Sequence, residues 1–303
     1  MNPALYMITV LIWGSTWLAI YFQLGEVAVV VSVFYRFALA ALLLMTTMAL
    51  LGKLQKTTPR DHAFMVLQGG CLFSFNFLCF YNATESIASG LLSVVFSLAT
   101  VFNAINGRLI WGDAIPRRVI VAGTVGFVGL LLLFWPEFAG QQIDAAVIRG
   151  IGLATLGTYF FSLGNMISRR HGSKGLHPLT TNSYAMCYGA MILALIVWLS
   201  GESLSLPTTA SYYWALIYLS VFGSVVAFTT YLMLIDRLGA NKAAYTTVIF
   251  PLIALVLSSI YEGYQWQWMA VLGLSLAILG NIIIVTNRES LSRFQQALNR
   301  LTS

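Results

Sequence analysis

From its fourth residue to its 286th the chain is a succession of apolar stretches, each close to 20 residues long, joined by short polar connections. Roughly 20 apolar residues is what one helix needs to cross a bilayer core. Ten such stretches can be drawn, at about 4–22, 29–51, 63–84, 88–110, 118–135, 149–168, 179–199, 211–235, 241–261 and 266–286. The longest connection, 136–148, lies near the middle, and no connection has room for a soluble domain. The fold class expected is therefore an all-α polytopic membrane protein. Composition agrees: 59% of the chain is hydrophobic and 9% is charged, too little polar surface to cover a soluble globule.

The basic residues set an orientation. Of 16 Lys and Arg, 14 fall in five clusters, after spans two, four, six, eight and ten. Positive charge is retained in the cytoplasm, so both termini are expected there, in the inner membrane. Arg149 falls in an opposite-side connection and Arg36 inside span two. The clusters lie between apolar runs, so the net charge of +6 reads as topology and not as nucleic-acid binding. After Thr286 the spacing of Leu291, Phe294, Leu298 and Leu301 fits either a short amphipathic helix on the inner surface or a frayed tail.

Ten spans divide into five and five, and an odd number per half requires any repeat to be inverted in the membrane. The expected units are 1–135 and 149–286, with 136–148 as an external linker and 287–303 as a cytoplasmic tail. An offset of 151 residues sets Ser93 against Ala244, Gly112 against Gly263 and Gly129 against Gly280.

Five segments stand out in their order and spacing: "LIWGSTWLA" in span one, "FYRFALAALLL" in span two, "NFLCFYNATESIASGLLSVVFSLATVFNA" across spans three and four, "RLGANKAAYTTVIFPLIALVLS" across spans eight and nine, and "LGLSLAILGNIII" in span ten. Together they resemble the EamA-type transporters of the drug/metabolite transporter superfamily. The resemblance implies ten helices in two inverted five-helix repeats, a central cavity, and alternating access that moves small metabolites or drugs, often outward. The family often carries a proline in both span four and span nine. Here span nine has Pro251 but span four has Thr100, which puts a proline break in span four in doubt.

Polar groups inside spans are costly and mark either a solute path or helix contacts. The path candidates are Trp13, Arg36, Asn76, Tyr81, Ser93, Ser97, Asn103, Tyr231, Tyr245, Thr247 and Pro251. Ser93 and Ser97 share one helix face, which serves packing as readily as a cavity. Asn103 and Asn106 suit a polar role, interhelical bonding included. Pro251 frees a carbonyl in mid-helix, giving either a broken helix along the cavity or a static kink. Trp13 lies mid-span, whereas Trp111, Trp135, Trp198, Trp266 and Trp268 lie near span ends, where belt tryptophans sit. Arg36, about 10 Å into span two, has three readings. It snorkels to the outer surface, pairs with Glu26 or Glu85, or attracts an anionic group such as a carboxylate.

No carboxylate falls in the middle of a span, and His62, His171 and His177 read as loop residues, so no proton relay is visible at the midplane. Facilitated diffusion, exchange, or coupling through an end-lying carboxylate all remain. Cys71, Cys79 and Cys187 have no metal spacing. No Walker loop, HExxH or GxSxG occurs, so an enzyme is not expected and no cofactor or metal is implied. The partners expected are the lipid bilayer and a small-molecule substrate. The rival readings are a non-transporting membrane assembly subunit and a passive channel.

Overall fold

The computed structural model describes residues 3–115, 117–135, 144–238, 243 and 246–285. Its helices, in chain order, begin with α1 (Pro3–Tyr21), α2 (Val29–Leu50), α3 (Pro59–Thr84), α4 (Ser89–Trp111) and α5 (Arg117–Leu133). They continue with α6 (Ala145–Ser173) and α7 (Pro178–Ser200). Next is α8, formed by Ala210–Tyr218, Leu219–Val226 and Ala227–Leu238, followed by α9 (Thr246–Tyr261) and α10 (Trp268–Val285). No strand occurs among the described residues. Seven helices, α1 to α4 and α6 to α8, are long and apolar enough to cross a membrane, and α9 and α10 contain shorter apolar segments.

Helix starts follow local chemistry. The α3 helix begins at Pro59, four residues before the expected start, because Thr58 and Asp61 form a reciprocal capping box and proline occupies the first turn. The α6 helix runs 29 residues, well past both expected ends. The Asp144 carboxylate accepts from Ala146 N–H at 2.8 Å and starts the helix early. Arg149 therefore lies inside α6 and not in a connection. His62 and His171 likewise lie on α3 and α6, while His177 caps α7. The expected tail helix, and most of the 136–148 linker, lie outside the described residues.

Two helices change pitch without proline. Cys71–Phe75 of α3 and Leu219–Val226 of α8 are π-helical, a local widening that frequently marks a functional stretch. An offset of 151 lays one onto the other. The α4 helix is interrupted at Ser97–Leu98, where Ser97 and Leu98 N–H groups bond three residues back, to Val94 and Val95 carbonyls. The doubt about a break in span four thus resolves in favour of an interruption made by tightened turns. Conversely, α9 stays helical on both sides of Pro251, so the chain is not broken there.

The principal packings come in matched sets. Helices α5 and α10, α2 and α7, and α4 and α9 pair directly; α1 packs on α9 as α6 does on α4, on α8 as α6 does on α3, and α3 packs on α7 as α8 does on α2. The α5–α10 crossing is backbone-close. A Cβ at Gly129 would stand 2.6 Å from Ala277 N and Gly273 O, and one at Gly280 would stand 2.7 Å from Ala122 O. Gly112 and Gly263, which end α4 and α9, both take a left-handed φ near +73° and +72°, where a side chain would be strained.

The two ends of the bundle are fastened differently. Where α1 finishes, Glu26 accepts from the backbone N–H groups of Thr208 and Thr209 at 2.7 and 3.1 Å, ahead of α8. At the same end Glu262, just past α9, accepts from Ser89 N–H at 3.0 Å and from the Ser89 hydroxyl at the start of α4. At the opposite end Arg170 of α6 reaches Asp61 of α3 at 2.9 Å, and Arg169 reaches Asp113, just past α4, at 2.5 Å.

Candidate substrate cavity

Seven helices contribute to one cavity. Trp13, Thr16, Trp17 and Ile20 come from α1, Arg36 from α2, and Asn76, Phe77 and Phe80 from α3. Phe96, Phe161, Phe228 and Phe250 complete it from α4, α6, α8 and α9. The rings meet mostly edge to face: Trp13 on Phe228 at 5.1 Å, Trp17 on Phe80 at 5.3 Å and Phe96 on Phe161 at 4.6 Å. That geometry sets a ring's positive edge on its neighbour's negative face. The open space at its centre is about 30 Å³, enough to admit water.

Arg36 is 1% exposed. Its guanidinium donates from Nε to Ser224 Oγ at 3.0 Å and more weakly from an NH1 to the Tyr81 hydroxyl at 3.4 Å. It also lies 4.3 Å from the Phe77 ring centroid and 5.2 Å from that of Phe37. Tyr81 gives its own proton to Gln23 Oε1 at 2.6 Å, which leaves the phenol oxygen free to accept from the guanidinium. Two readings of Arg36 are thereby corrected. It does not snorkel, because α8 covers it: Gly223 has no side chain, and a Cβ there would stand 2.8 Å from Thr16 and 3.4 Å from an Arg36 NH2. Nor does it pair with Glu26 or Glu85. Glu26 is engaged at the start of α8, and the ion pairs among the described residues are Asp61–Arg170 and Asp113–Arg169.

Of the sequence candidates, Trp13, Arg36 and Asn76 line the cavity. Tyr81 sits behind Arg36, and Tyr231 packs on Trp13 at 4.7 Å. Asn103 faces elsewhere: Asn165 donates to Asn103 Oδ1 at 3.3 Å and to the Tyr231 hydroxyl at 3.2 Å, tying α4, α6 and α8 together. Asn106 donates to Ser162 at 2.9 Å, again between helices. Ser93 turns its hydroxyl back on the Gly90 carbonyl, the packing alternative. Ser97 sits at the interruption of α4. Pro251 follows the lining residue Phe250; Tyr245, and the side chain of Thr247, lie outside the described residues.

Sequence reasoning passed over Phe80, Phe161, Phe228 and Phe250 as wall residues, together with the orienting partners Gln23, Ser224 and Asn165. One signal was available: the 151-residue offset carries Phe77 onto Phe228 and Phe80 onto Tyr231.

An all-helical, multi-pass membrane protein with a buried aromatic cavity is the class this fold and site define. The chain belongs to the EamA-like transporter family, whose pattern matches twice, over residues 3–135 and 148–286. Members of this family are transporters and not enzymes. Among its relatives is the uncharacterized transporter YyaM of Bacillus subtilis, 25% identical over 88% of each chain. Another is the uncharacterized inner membrane transporter YedA of Escherichia coli, 22% identical over 92% of this chain and 88% of that one. A probable terminal-alkyne amino-acid exporter of Streptantibioticus cattleyicolor is 22% identical over 96% and 95%. One crystal structure superimposes with a TM-score of 0.69 over 92% of this chain and 94% of that chain, at 16% identity, a likeness of fold.

Proposed function

We propose that the chain is a ten-helix secondary transporter of the inner membrane, built as two inverted five-helix repeats, 1–135 and 149–286, with both termini cytoplasmic. It exports small metabolites, amino acids or related compounds among them, or drugs, by alternating access. The observation that carries this reading is the matched packing: exchanging α1–α5 for α6–α10 leaves the principal helix pairs unchanged. A twofold arrangement of that kind gives a carrier two equivalent shapes, one open to each side of the membrane. Further support comes from the coinciding π-helical segments, the paired glycines Gly112 and Gly263, and the two family matches. The basic clusters support the orientation, and the amino-acid exporter among the relatives supports the direction.

A non-transporting assembly subunit has no use for an unpaired guanidinium beside an aromatic cavity, which would only cost it stability. The test is a proteoliposome screen of amino acids and dyes, with counterflow and an imposed pH gradient. Saturable exchange is the expected result. Unsaturable flux without counterflow would make the protein a channel, and no flux of any solute across the panel would make it a scaffold.

A further inference from the structure

The lining of the cavity is unbalanced in charge and in hydrogen-bond sense. Arginine carries five N–H donors and stays protonated in proteins. Arg36 uses two of them, on Ser224 and Tyr81, and the other three have no partner among the described residues. Asn76, 1% exposed, is similarly placed. Its Oδ1 accepts from Phe77 N–H at 2.8 Å, while its Nδ2 has no partner among the described residues. Both residues line the same space, and among the described residues no carboxylate does. The Phe77 and Phe37 rings offset part of the buried charge, but a ring face is not a counter-ion. The remaining lining groups are hydrocarbon except the Thr16 hydroxyl and the indole N–H groups of Trp13 and Trp17, the first of which is directed at the Gly223 carbonyl, 3.4 Å away.

We infer that the cavity takes an organic carboxylate with an aromatic or other apolar body. Its carboxylate seats on the free edge of the Arg36 guanidinium and on Asn76 Nδ2, and its body lies among the rings of Trp13, Trp17, Phe96 and Phe228. This rests on the carrier reading and names the class of its cargo. A carboxylate matches the planar guanidinium fork with two parallel charge-assisted bonds, and it supplies the missing negative charge inside the protein. An amine has no carboxylate to meet here. A neutral amide leaves the guanidinium uncompensated. The open space is about 30 Å³, so the rings shift to admit the cargo.

The test uses three near-isosteric probes, phenylacetate, phenylacetamide and phenethylamine, titrated calorimetrically into the detergent-purified full chain. Octanoate serves as an aliphatic acid. The acids are expected to bind at least about tenfold more tightly than the amide or the amine. Arg36→Gln should abolish the preference for acid over amide. Asn76→Asp places a negative charge beside the guanidinium and should shift the preference away from phenylacetate; it keeps the test alive if the arginine variant does not fold. Equal binding of acid and amide, tighter binding of the amine, or no binding of either acid overturns the inference. Proteoliposome exchange separates it from the carrier reading. Exchange of neutral or cationic solutes without the acids leaves the carrier and removes the carboxylate site. Selective acid binding lost in Arg36→Gln, with no exchange of any solute, leaves the site and removes the carrier.

Discussion

Phe77 and Phe228 are 151 positions apart in the chain, yet their rings meet edge to face with centroids 6.1 Å apart. Each stands on the helical stretch just after a π-helical segment, Phe77 following Cys71–Phe75 and Phe228 following Leu219–Val226. Positions that the 151-residue offset equates thus touch each other at the cavity. Replacing either by alanine removes a packed ring, and both variants should lose comparable stability, up to about 3–5 kcal/mol. Thermal unfolding in detergent reads this. A large loss in one and none in the other would count against equivalence.

The α5–α10 crossing offers a sharper contrast. Gly129→Ala and Gly280→Ala each force a methyl group onto the opposite backbone, 2.6–2.7 Å away, and should destabilise by about 1–3 kcal/mol. Gly152→Ala, with open space around its Cβ on α6, should be neutral or stabilising by up to about 1 kcal/mol. Melting temperatures of the three variants decide it.

The two arginine–aspartate pairs should differ in weight. Asp61 and Arg170 side chains are 12% and 13% exposed, and Asp61 also serves the capping box, so Asp61→Asn is expected to cost about 2 kcal/mol. Asp113 and Arg169 are 44% and 40% exposed, and Asp113→Asn should cost less than about 1 kcal/mol. Chemical denaturation of both variants at one ionic strength gives the ranking.

A pH dependence follows at Asp113. The hydrogen bond from Arg169, aided by its charge and opposed by desolvation, holds the carboxyl below its ordinary range. The folded value lies below the unfolded one. The bridge therefore contributes fully above about pH 4, the unfolded range, and its contribution fades as pH falls through the lowered value. The stability gap between the parent and Asp113→Asn should be flat from pH 5 to 8 and close in stronger acid, as about a one-proton effect.

Much of the fold was legible because lipid imposes it. Apolar length alone located α1, α2 and α7 to within a residue or two, since a single 20-residue apolar segment satisfies its own backbone groups in hydrocarbon as a helix. The starts of α3 and α6 differ from the expected ones because polar caps begin the helices ahead of the apolar run. The π-helical segments and the interruption at Ser97–Leu98 carry no proline to announce them. Arg36 shows the deeper limit. Counting along α2 gives its depth, but its burial is decided by Gly223 on α8, nearly 190 residues away. Phe161 and Phe250 read as ordinary span residues until seven helices bring their rings to one place.

The unlike fastenings at the two ends carry a consequence for any rocking motion. One end is latched by glutamates on backbone N–H groups at the starts of α4 and α8, the other by two arginine–aspartate pairs, of which Arg169–Asp113 is exposed. Dissolved salt weakens attraction between exposed full charges more than short hydrogen bonds to the backbone. Ionic strength then acts as a one-sided lubricant. If the chain works by the alternating access proposed above, raising it should shorten the closed dwell at the arginine end and leave the glutamate end nearly unchanged, giving the two halves unequal strokes.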